Sequence, residues 1–198
     1  MKITKHADGW WKIDGDDAFD SILEGYLSYE IMFLDHVSRD GGTAIQAGGY
    51  CGIFPKMLSK HFKTVYTFEP DAANFTCLVM NISDTDNVIP MRSFLGDRHR
   101  LQGIENLVPN NRGMNVGTKN GIIPTLKIDD LEADDVRYIQ LDTEGSEADI
   151  LYGATDTISI YHPLISVEDD NIRIQEFMHR MGYKAVATVY RDTFYVWS

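Results

Sequence analysis

Short apolar runs alternate with helix-like segments along most of the sequence, and this alternation restricts the possible folds more than any other feature. Five runs have the length and composition of buried strands, at residues 43–47, 64–68, 87–91, 136–142 and 163–168. Segments between them carry apolar residues at helical spacing. Strands that alternate with helices predict an α/β fold, in which a mainly parallel sheet is covered by helices on both faces.

The second half of the sequence adds two features to this pattern. Residues 96–121 are rich in glycine and asparagine and predict a long loop or an irregular hairpin, which in a compact domain usually has a function. Residues 183–190 and 193–198 flank a turn and predict a closing hairpin. This hairpin adds an antiparallel strand at one edge, so that we expect seven strands in all.

The N-terminal residues precede the alternation and form a separate feature. Residues 9–13 predict a short strand or an aromatic plug, and Asp16 or Asp17 can cap a helix that runs to about His36. We therefore expect residues 1–40 to form an arm and helix packed on a domain of residues 41–198.

The charge of the chain excludes one class of partner. The formal net charge is −12 at pH 7, and a phosphate backbone repels such a surface, so no nucleic acid is expected. The two cysteines imply no disulfide framework. No apolar run approaches the roughly 18 residues of a membrane span, and the first residues lack the apolar stretch of a signal peptide. We therefore expect a cytoplasmic protein without a membrane partner.

The strongest local pattern is a strand, a glycine turn and a helix, followed by an acid at the end of the next strand. Gly48, Gly49 and Gly52 let the backbone turn tightly and approach a ligand closely. Glu69 follows about 20 residues after the first glycine, where a carboxylate holds the ribose of a nucleotide. The pattern predicts a nucleoside site, although a structural turn beside a solvent-facing glutamate remains an alternative.

The glycine spacing argues against a dinucleotide. Tyr50 and Ile53 occupy two of the three positions at which a dinucleotide-binding loop has glycine. A looser loop suits a nucleoside without phosphates, such as S-adenosylmethionine. A nucleotide-dependent oxidoreductase is therefore the less favoured alternative.

Five sequence blocks occur in an order that is typical of one enzyme family. They are AIQAGGYCG (44–52), FEPDAANF (68–75), TLKIDDL (125–131), YIQLDTEGSEADILYGA (138–154) and PLISVE (163–168). Together they resemble the motifs of the FkbM family of methyltransferases, over roughly residues 26–198. Tyr29 and Glu30 also resemble a Tyr-Glu pair that the family has before its first strand.

The resemblance implies a Rossmann-like methyltransferase fold and S-adenosyl-L-methionine as the cofactor. It implies that Glu69 accepts hydrogen bonds from the ribose hydroxyls, that Asp97 holds the adenine amino group and that Asp142 faces the reacting centre. The residues implied to contact the cofactor are Gln46, Gly48, Gly49, Tyr50, Gly52, Glu69, Pro70, Asn74, Phe94, Leu95, Asp97 and Asp142.

Two positions depart from the family's pattern. The family usually has an acid where this chain has Gln46 and an asparagine where it has Tyr50. Gln46 keeps a hydrogen-bonding carbonyl but lacks the charge that would favour the cofactor's ammonium group, and Glu30 is one acid that could compensate. These departures leave open a catalytically idle module that binds the cofactor or a nucleoside without turnover.

Acids at the ends of two strands are the candidates for catalysis. Methyl transfer to a hydroxyl needs a positioned nucleophile and a base that takes its proton. Asp142, Glu144 and Glu168 follow strands whose carboxyl ends form the ligand side of a parallel sheet. They predict O-methylation of a hydroxyl on a small molecule or glycan. No spacing rule supports a Mg²⁺ or Ca²⁺ site of Asp142 with Asp169 and Asp170, so we assign no metal.

Overall fold

A computed structural model describes residues 2–25 and 41–198. The strands in chain order are β1 (Ile3–Lys5), β2 (Trp11–Ile13), β3 (Thr43–Ala47), β4 (Thr64–Phe68), β5 (Val88–Met91), β6 (Phe94–Leu95), β7 (Arg100–Val108), β8 (Asn111–Leu126), β9 (Val136–Leu141), β10 (Leu164–Glu168), β11 (Tyr183–Val189) and β12 (Asp192–Trp197). The helices are α1 (18–25), α2 (Ile53–Leu58), α3 (Ala72–Asn81), α4 (Glu147–Tyr152), α5 (Thr155–Tyr161) and α6 (Ile172–Arg180).

The main sheet has seven strands in the order β11-β12-β10-β9-β3-β4-β5. The five strands from β10 to β5 pair in parallel, whereas β12 runs antiparallel to both of its neighbours. Helices cover both faces, and each face has its own cluster of buried apolar side chains. The predicted α/β class, with a mainly parallel seven-stranded sheet and a C-terminal hairpin, is confirmed.

The closing hairpin enters the sheet in an arrangement that differs from our expectation. β12 lies between β10 and β11, so the antiparallel strand is second from the edge and β11 forms the edge. Residues 193–195 of β12 are buried in succession, whereas β11 is largely exposed. A strand that is buried on both faces belongs inside a sheet, which explains the order of the two strands.

The chain reverses its direction across the sheet between β3 and β9. From β3 it proceeds to β4 and β5 on one side, and it later returns through β9 and β10 on the other side. Helices that follow adjacent strands on opposite sides of such a reversal leave a crevice at the carboxyl ends of the strands. We therefore expect the functional site to lie beyond Ala47 and Leu141, where β3 and β9 end.

The N-terminal arm packs on the domain through both of its described elements. β1 and β2 form a ribbon, of which only the second strand was predicted. The backbone N–H of Trp11 donates to Asn81 Oδ1 at 2.7 Å, and Asn81 Nδ2 donates to the Trp11 carbonyl at 2.8 Å. Phe19 of α1 is completely buried. The predicted continuation of this helix to His36 lies outside the described residues, as do Tyr29 and Glu30.

Residues 96–121 belong to a long irregular hairpin, which was one of the two alternatives that we expected there. β7 and β8 pair antiparallel with two register shifts, and β6 extends them to a three-stranded sheet. The turn between β7 and β8 contains Asn110, whose carbonyl accepts a hydrogen bond from the backbone N–H of Asp17 at 2.8 Å. The hairpin tip therefore touches the N-terminal arm. Within the described parts of the chain, no helix is long and apolar enough to cross a membrane.

Candidate functional site

A cavity of about 740 Å³ opens at the carboxyl ends of β3 and β9. Its walls come from the glycine loop after β3, the first turn of α3, the hairpin tip, the N-terminal arm and the turn between β11 and β12. This volume lies within the range of small-molecule sites. The position is the one at which open parallel sheets bind their ligands.

The glycine loop leaves no room for side chains at two positions. Gly48 has φ +87°, and a Cβ atom there would lie 1.8 Å from the carbonyl oxygen of Asp142. At Gly49 a Cβ atom would lie 2.5 Å from a methyl carbon of Leu78. The N–H groups of both glycines donate to the carbonyl of Phe68, at 3.1 and 2.9 Å. The loop is thus pressed against the ends of β4 and β9, and these amides serve the fold.

Glu69 joins the glycine loop to the start of α3. Its Oε2 accepts from the backbone N–H of Tyr50 at 2.8 Å, and its Oε1 accepts from the backbone N–H of Asp71 at 2.8 Å. Burial raises the pKa of Glu69 to about 8, against these two donors, which lower it. Oε1 also accepts from Asn74 Nδ2, over a longer distance of 3.5 Å. A carboxylate has about four acceptor positions, so one remains free for a ligand hydroxyl and a second is held only by this long contact.

The two residues that depart from the family's pattern both have hydrogen-bonded side chains, Tyr50 with the N-terminal arm and Gln46 with the loop and β4. Tyr50 has φ +45°, a conformation that asparagine adopts readily and a bulky residue does not. Its hydroxyl donates to Asp16 Oδ2 at 2.5 Å. Gln46 donates from Nε2 to the carbonyl of Gly48 at 2.9 Å and accepts from Thr67 Oγ1 at 2.5 Å. Both side chains therefore support the shape of the loop.

Three buried polar atoms of residues that line the cavity lack a partner among the described residues. They are Oδ1 of Asn74, Oγ of Ser93 and Nε of Arg112. Such atoms need a partner from solvent or from a bound group. Together with the remaining acceptor positions of Glu69, they fit the hydroxyls and the base of a nucleoside, so the residues present suit S-adenosylmethionine.

Most of the residues predicted from sequence line this cavity. They are Gly48, Gly49, Tyr50, Glu69, Pro70, Asn74, Phe94, Leu95, Asp142, Glu144 and Glu168. Three predicted cofactor contacts are not among its described lining residues: Gln46 lies behind the loop, Gly52 packs against Leu78, and Asp97 pairs with Arg100 at 3.3 Å. The prediction that these three contact the cofactor is therefore not supported by their positions.

The three predicted catalytic acids come together beyond the ends of β9 and β10, on the opposite side of β3 from Glu69. We call this the acid end of the cavity, and the side of Glu69 the Glu69 end. Carboxylate oxygens of Asp142, Glu144 and Glu168 all lie within 4.8 Å of one another. Burial, and next a hydrogen bond with Glu168, raises the pKa of Asp142 well above its usual value. Burial also raises the pKa of Glu144. Glu168 in turn pairs with Arg191, whose Nη1 lies 2.8 Å from Glu168 Oε1.

The acids considered for a metal site are differently arranged from our sequence-based alternative. Asp169 pairs with Arg191, and Asp170 accepts from the hydroxyl of Tyr195 at 2.8 Å. Both are thus bound to other side chains, and among the described residues the acids that stand close enough to share a cation are Asp142, Glu144 and Glu168.

The family of this chain follows from its similarity to a protein-family model. A family model described as the methyltransferase FkbM domain matches residues 53–185, which is more than half of the chain. The chain belongs to the FkbM methyltransferase family. The matched region of the FkbM domain begins directly after the glycine loop and includes both Glu69 and the three acids. No curated protein sequence matches the chain.

Solved structures agree with this fold. The methyltransferase FkbM from Methylobacillus flagellatus KT has a TM-score of 0.56 and 20% identity, over 80% of this chain and 44% of that one. Magnesium protoporphyrin IX methyltransferase from Synechocystis PCC 6803, solved with bound SAM, has a TM-score of 0.54 and 11% identity, over 94% and 86%. This FkbM domain therefore spans less than half the length of the Methylobacillus protein, and likeness at these identities concerns the fold.

Glu147 accepts hydrogen bonds from the loop after β9, which carries Glu144 and directly follows Asp142 in the FkbM domain. Its Oε1 accepts from the backbone N–H of Thr143 at 2.9 Å, from the Thr143 hydroxyl at 2.9 Å and from the N–H of Gly145 at 3.2 Å. The side chain is 2% exposed. Its role as an acceptor for the preceding loop depends on the folded turn, which brings Thr143 and Gly145 back to the first residue of α4.

We expect the Glu147→Ala substitution to lower the free energy of unfolding by roughly 2 to 3 kcal/mol, because several buried donors lose their shared acceptor. Urea denaturation measures this change. Glu147→Gln is the matched control, since its amide oxygen can still accept from the same donors, and it should cost less than half as much. Equal losses in both variants would contradict the acceptor role.

Sequence reasoning missed several residues at this site. Ser93 and Arg112 line the cavity, and so do residues 17 and 18 of the arm. Asp16 bonds to Tyr50 across a separation of 34 residues and to Arg112 across 96. No local motif marks such contacts, because they arise only when the arm, the hairpin tip and the glycine loop meet.

Proposed function

We propose that this chain binds S-adenosyl-L-methionine and catalyses transfer of its methyl group to a hydroxyl of a small molecule or glycan. The observation that carries the proposal is the hydrogen bond between the Glu69 carboxylate and the N–H of Tyr50 at one end of a cavity. The same cavity has a group of carboxylates at its other end. A nucleoside site and a proton acceptor thus share one enclosure.

The Glu69 end holds the cofactor in this proposal. Glu69 accepts from the ribose hydroxyls at the positions that its backbone donors do not use, one of which is held only by the long contact with Asn74 Nδ2. Asn74 Oδ1 and Ser93 Oγ are available for the polar groups of the nucleoside. Phe94 and Leu95 of β6 offer apolar surface to the base. The cofactor supplies an activated methyl group, so the protein's task is to position the acceptor.

The acid end removes the proton in this proposal. Asp142, as a carboxylate, would accept the proton of the acceptor hydroxyl, and the cofactor would supply the methyl group from its sulfonium sulfur and leave as S-adenosylhomocysteine. Its raised pKa makes it a stronger base than an exposed aspartate. Glu144 and Glu168 accept hydrogen bonds from other hydroxyls of the acceptor. Carboxylates at this end favour an acceptor that donates hydrogen bonds and disfavour one that carries phosphate.

Calorimetric titration with S-adenosylmethionine and S-adenosylhomocysteine tests cofactor binding. We expect both to bind and both to raise the melting temperature, whereas NAD does neither. Release of S-adenosylhomocysteine with a panel of sugars and small hydroxylated compounds then tests turnover. Failure of both nucleosides to bind would contradict the proposal, and binding without turnover on any acceptor would indicate the idle module.

The affinity for S-adenosylhomocysteine should depend on pH through Glu69. The ribose hydroxyls bind the ionised carboxylate, so binding lowers the pKa of Glu69 from its value of about 8 and releases a proton at lower pH. Kd should therefore fall by up to about tenfold per pH unit as the pH rises from about 6 to about 8, and level off above that. Calorimetry across this range measures it.

Glu69→Gln is the matched control for this pH dependence. Glutamine has nearly the same shape but does not titrate, so the variant should bind more weakly and lose the slope that Glu69 contributes. Titration of the ligand's own groups is common to both proteins and cancels in the comparison. An identical pH slope in the two proteins would mean that Glu69 does not contact the ribose.

A further inference from the structure

Asp16 in the N-terminal arm meets two other segments that border the cavity. Its Oδ2 accepts from the Tyr50 hydroxyl at 2.5 Å, while its Oδ1 accepts from the backbone N–H of Ala18 at 3.3 Å and of Arg112 at 3.4 Å. Asp16 itself is 4% exposed. One carboxylate thus ties the arm to the glycine loop and to the hairpin tip.

The bond to Tyr50 reaches the ribose end of the cavity. The Tyr50 N–H donates to Glu69, and Tyr50 has φ +45°, which a bulky residue adopts only when its surroundings hold it there. The ring lies against Phe19 of the arm, with ring centroids 6.4 Å apart. Without an acceptor for its hydroxyl, Tyr50 loses a restraint on this conformation, and its N–H can rotate away from Glu69.

The bond to Arg112 reaches a second residue of the same wall. The carbonyl of Arg112 accepts from Asn74 Nδ2 at 2.9 Å, and Arg112 Nη2 donates to Asp71 Oδ2 at 2.7 Å. Asn74 Oδ1 is one of the buried atoms of the cavity wall that have no hydrogen-bond partner among the described residues. Asp16 is therefore connected through separate residues to both Glu69 and Asn74, although it does not touch the proposed nucleoside position itself.

We propose that Asp16 is a positioning residue for cofactor binding, which sets the orientation of Glu69 through Tyr50 and of Asn74 through Arg112. This inference rests on the proposed function of the cavity. It assigns to the N-terminal arm a part in the binding site beyond packing on the domain. It also accounts for Tyr50 at a position where the family usually has asparagine, because the Tyr50 hydroxyl donates to Asp16 of the arm.

A double-mutant cycle on S-adenosylhomocysteine affinity tests the first connection. Asp16→Ala and Tyr50→Phe should each raise Kd by about tenfold, because each leaves one buried group without its partner. The double variant should raise Kd no further than Asp16→Ala alone, because Asp16→Ala already removes the bond that Tyr50→Phe removes. Independent effects, which would multiply to about a hundredfold in the double variant, would overturn the connection through Tyr50.

Asp16→Asn tests whether the hydrogen bonds of Asp16 suffice without its charge, while Tyr50→Phe removes the bond without a loss of packing. The asparagine Oδ1 can still accept from the backbone donors, and the tyrosine hydroxyl can accept from Nδ2, since a hydroxyl both donates and accepts. We expect Kd within about threefold of the unchanged protein. Asp14→Ala is the control for loss of an arm carboxylate, because Asp14 is exposed and pairs only with Lys2 in the described residues, at 3.6 Å.

The outcomes separate this inference from the proposed function. Tyr50→Phe keeps the ring packing, so it remains informative even if Asp16→Ala fails to fold, which circular dichroism shows. Unchanged Kd in Tyr50→Phe and Asp16→Ala, with normal binding by the unchanged protein, would overturn the role of Asp16 alone. Absence of binding by the unchanged protein would overturn both proposals.

Discussion

Replacement of Asp142 by asparagine is expected to lower kcat for methyl transfer by about 10²- to 10⁴-fold, which is the usual contribution of a general base. Asparagine has nearly the same shape as aspartate but cannot take the proton of the acceptor hydroxyl. The affinity for S-adenosylhomocysteine should stay within about threefold, because the nucleoside contacts lie at the Glu69 end. Initial rates with the best acceptor of the panel, together with calorimetry, measure both quantities.

The pH profile gives this prediction a second readout. Asp142 must be ionised to act as a base, and burial together with Glu168 raises its pKa, so kcat should rise with pH through that raised pKa. Asp142→Asn should abolish this rise. Glu168→Gln removes the neighbouring charge that raises the pKa of Asp142, so the rise should move to lower pH. A midpoint that stays in place in Glu168→Gln would exclude Asp142 as the titrating base.

The second large effect is expected for Gly48→Ala. The new Cβ atom would lie 1.8 Å from the carbonyl oxygen of Asp142, and the backbone at φ +87° disfavours any side chain. Strain and overpacking together should cost roughly 3 kcal/mol or more of unfolding free energy. Because the glycine loop moves away from β9 to relieve the contact, S-adenosylhomocysteine binding should be lost as well. Urea denaturation and calorimetry measure the two losses.

Gly9→Ala is the matched control for this clash. Gly9 has φ +91°, yet an added Cβ atom there meets nothing within 4 Å. It should therefore cost only the conformational strain, about 1 kcal/mol, and leave ligand affinity unchanged. If Gly48→Ala were as mild as Gly9→Ala, the loop would not be wedged between the strand ends as we describe.

The sheet could be predicted from the sequence because its signals are local. β3 and β4 begin and end where the apolar runs do, and α3 begins after Asp71, which accepts from the N–H groups of Ala73 and Asn74. The β7–β8 hairpin could only be suggested as one of two alternatives. Its strands are polar and rich in glycine, and pairing between distant residues, with interruptions in register, holds them together.

Some contacts of the candidate site could likewise be predicted from the sequence, whereas others could not. Glu69 could be assigned to the glycine loop because both follow adjacent parallel strands, and their contact is confirmed by the hydrogen bond to Tyr50. The position of Gln46 behind the loop was not predictable, since its amide is drawn to the Gly48 carbonyl and to Thr67. Asp97 is likewise drawn to Arg100. Competing partners of this kind appear only in the folded chain.

The placement of β12 between β10 and β11 has a consequence for the order in which the molecule assembles. β11 is synthesised before β12, but β12 is its pairing partner in the sheet. Among the described strands, β11 therefore has no strand to pair with until β12 has been made. Glu168 stands opposite Asp192 of β12 in the register. The nucleoside half of the crevice can therefore form from early segments, whereas its acidic half is completed by the last strand to dock.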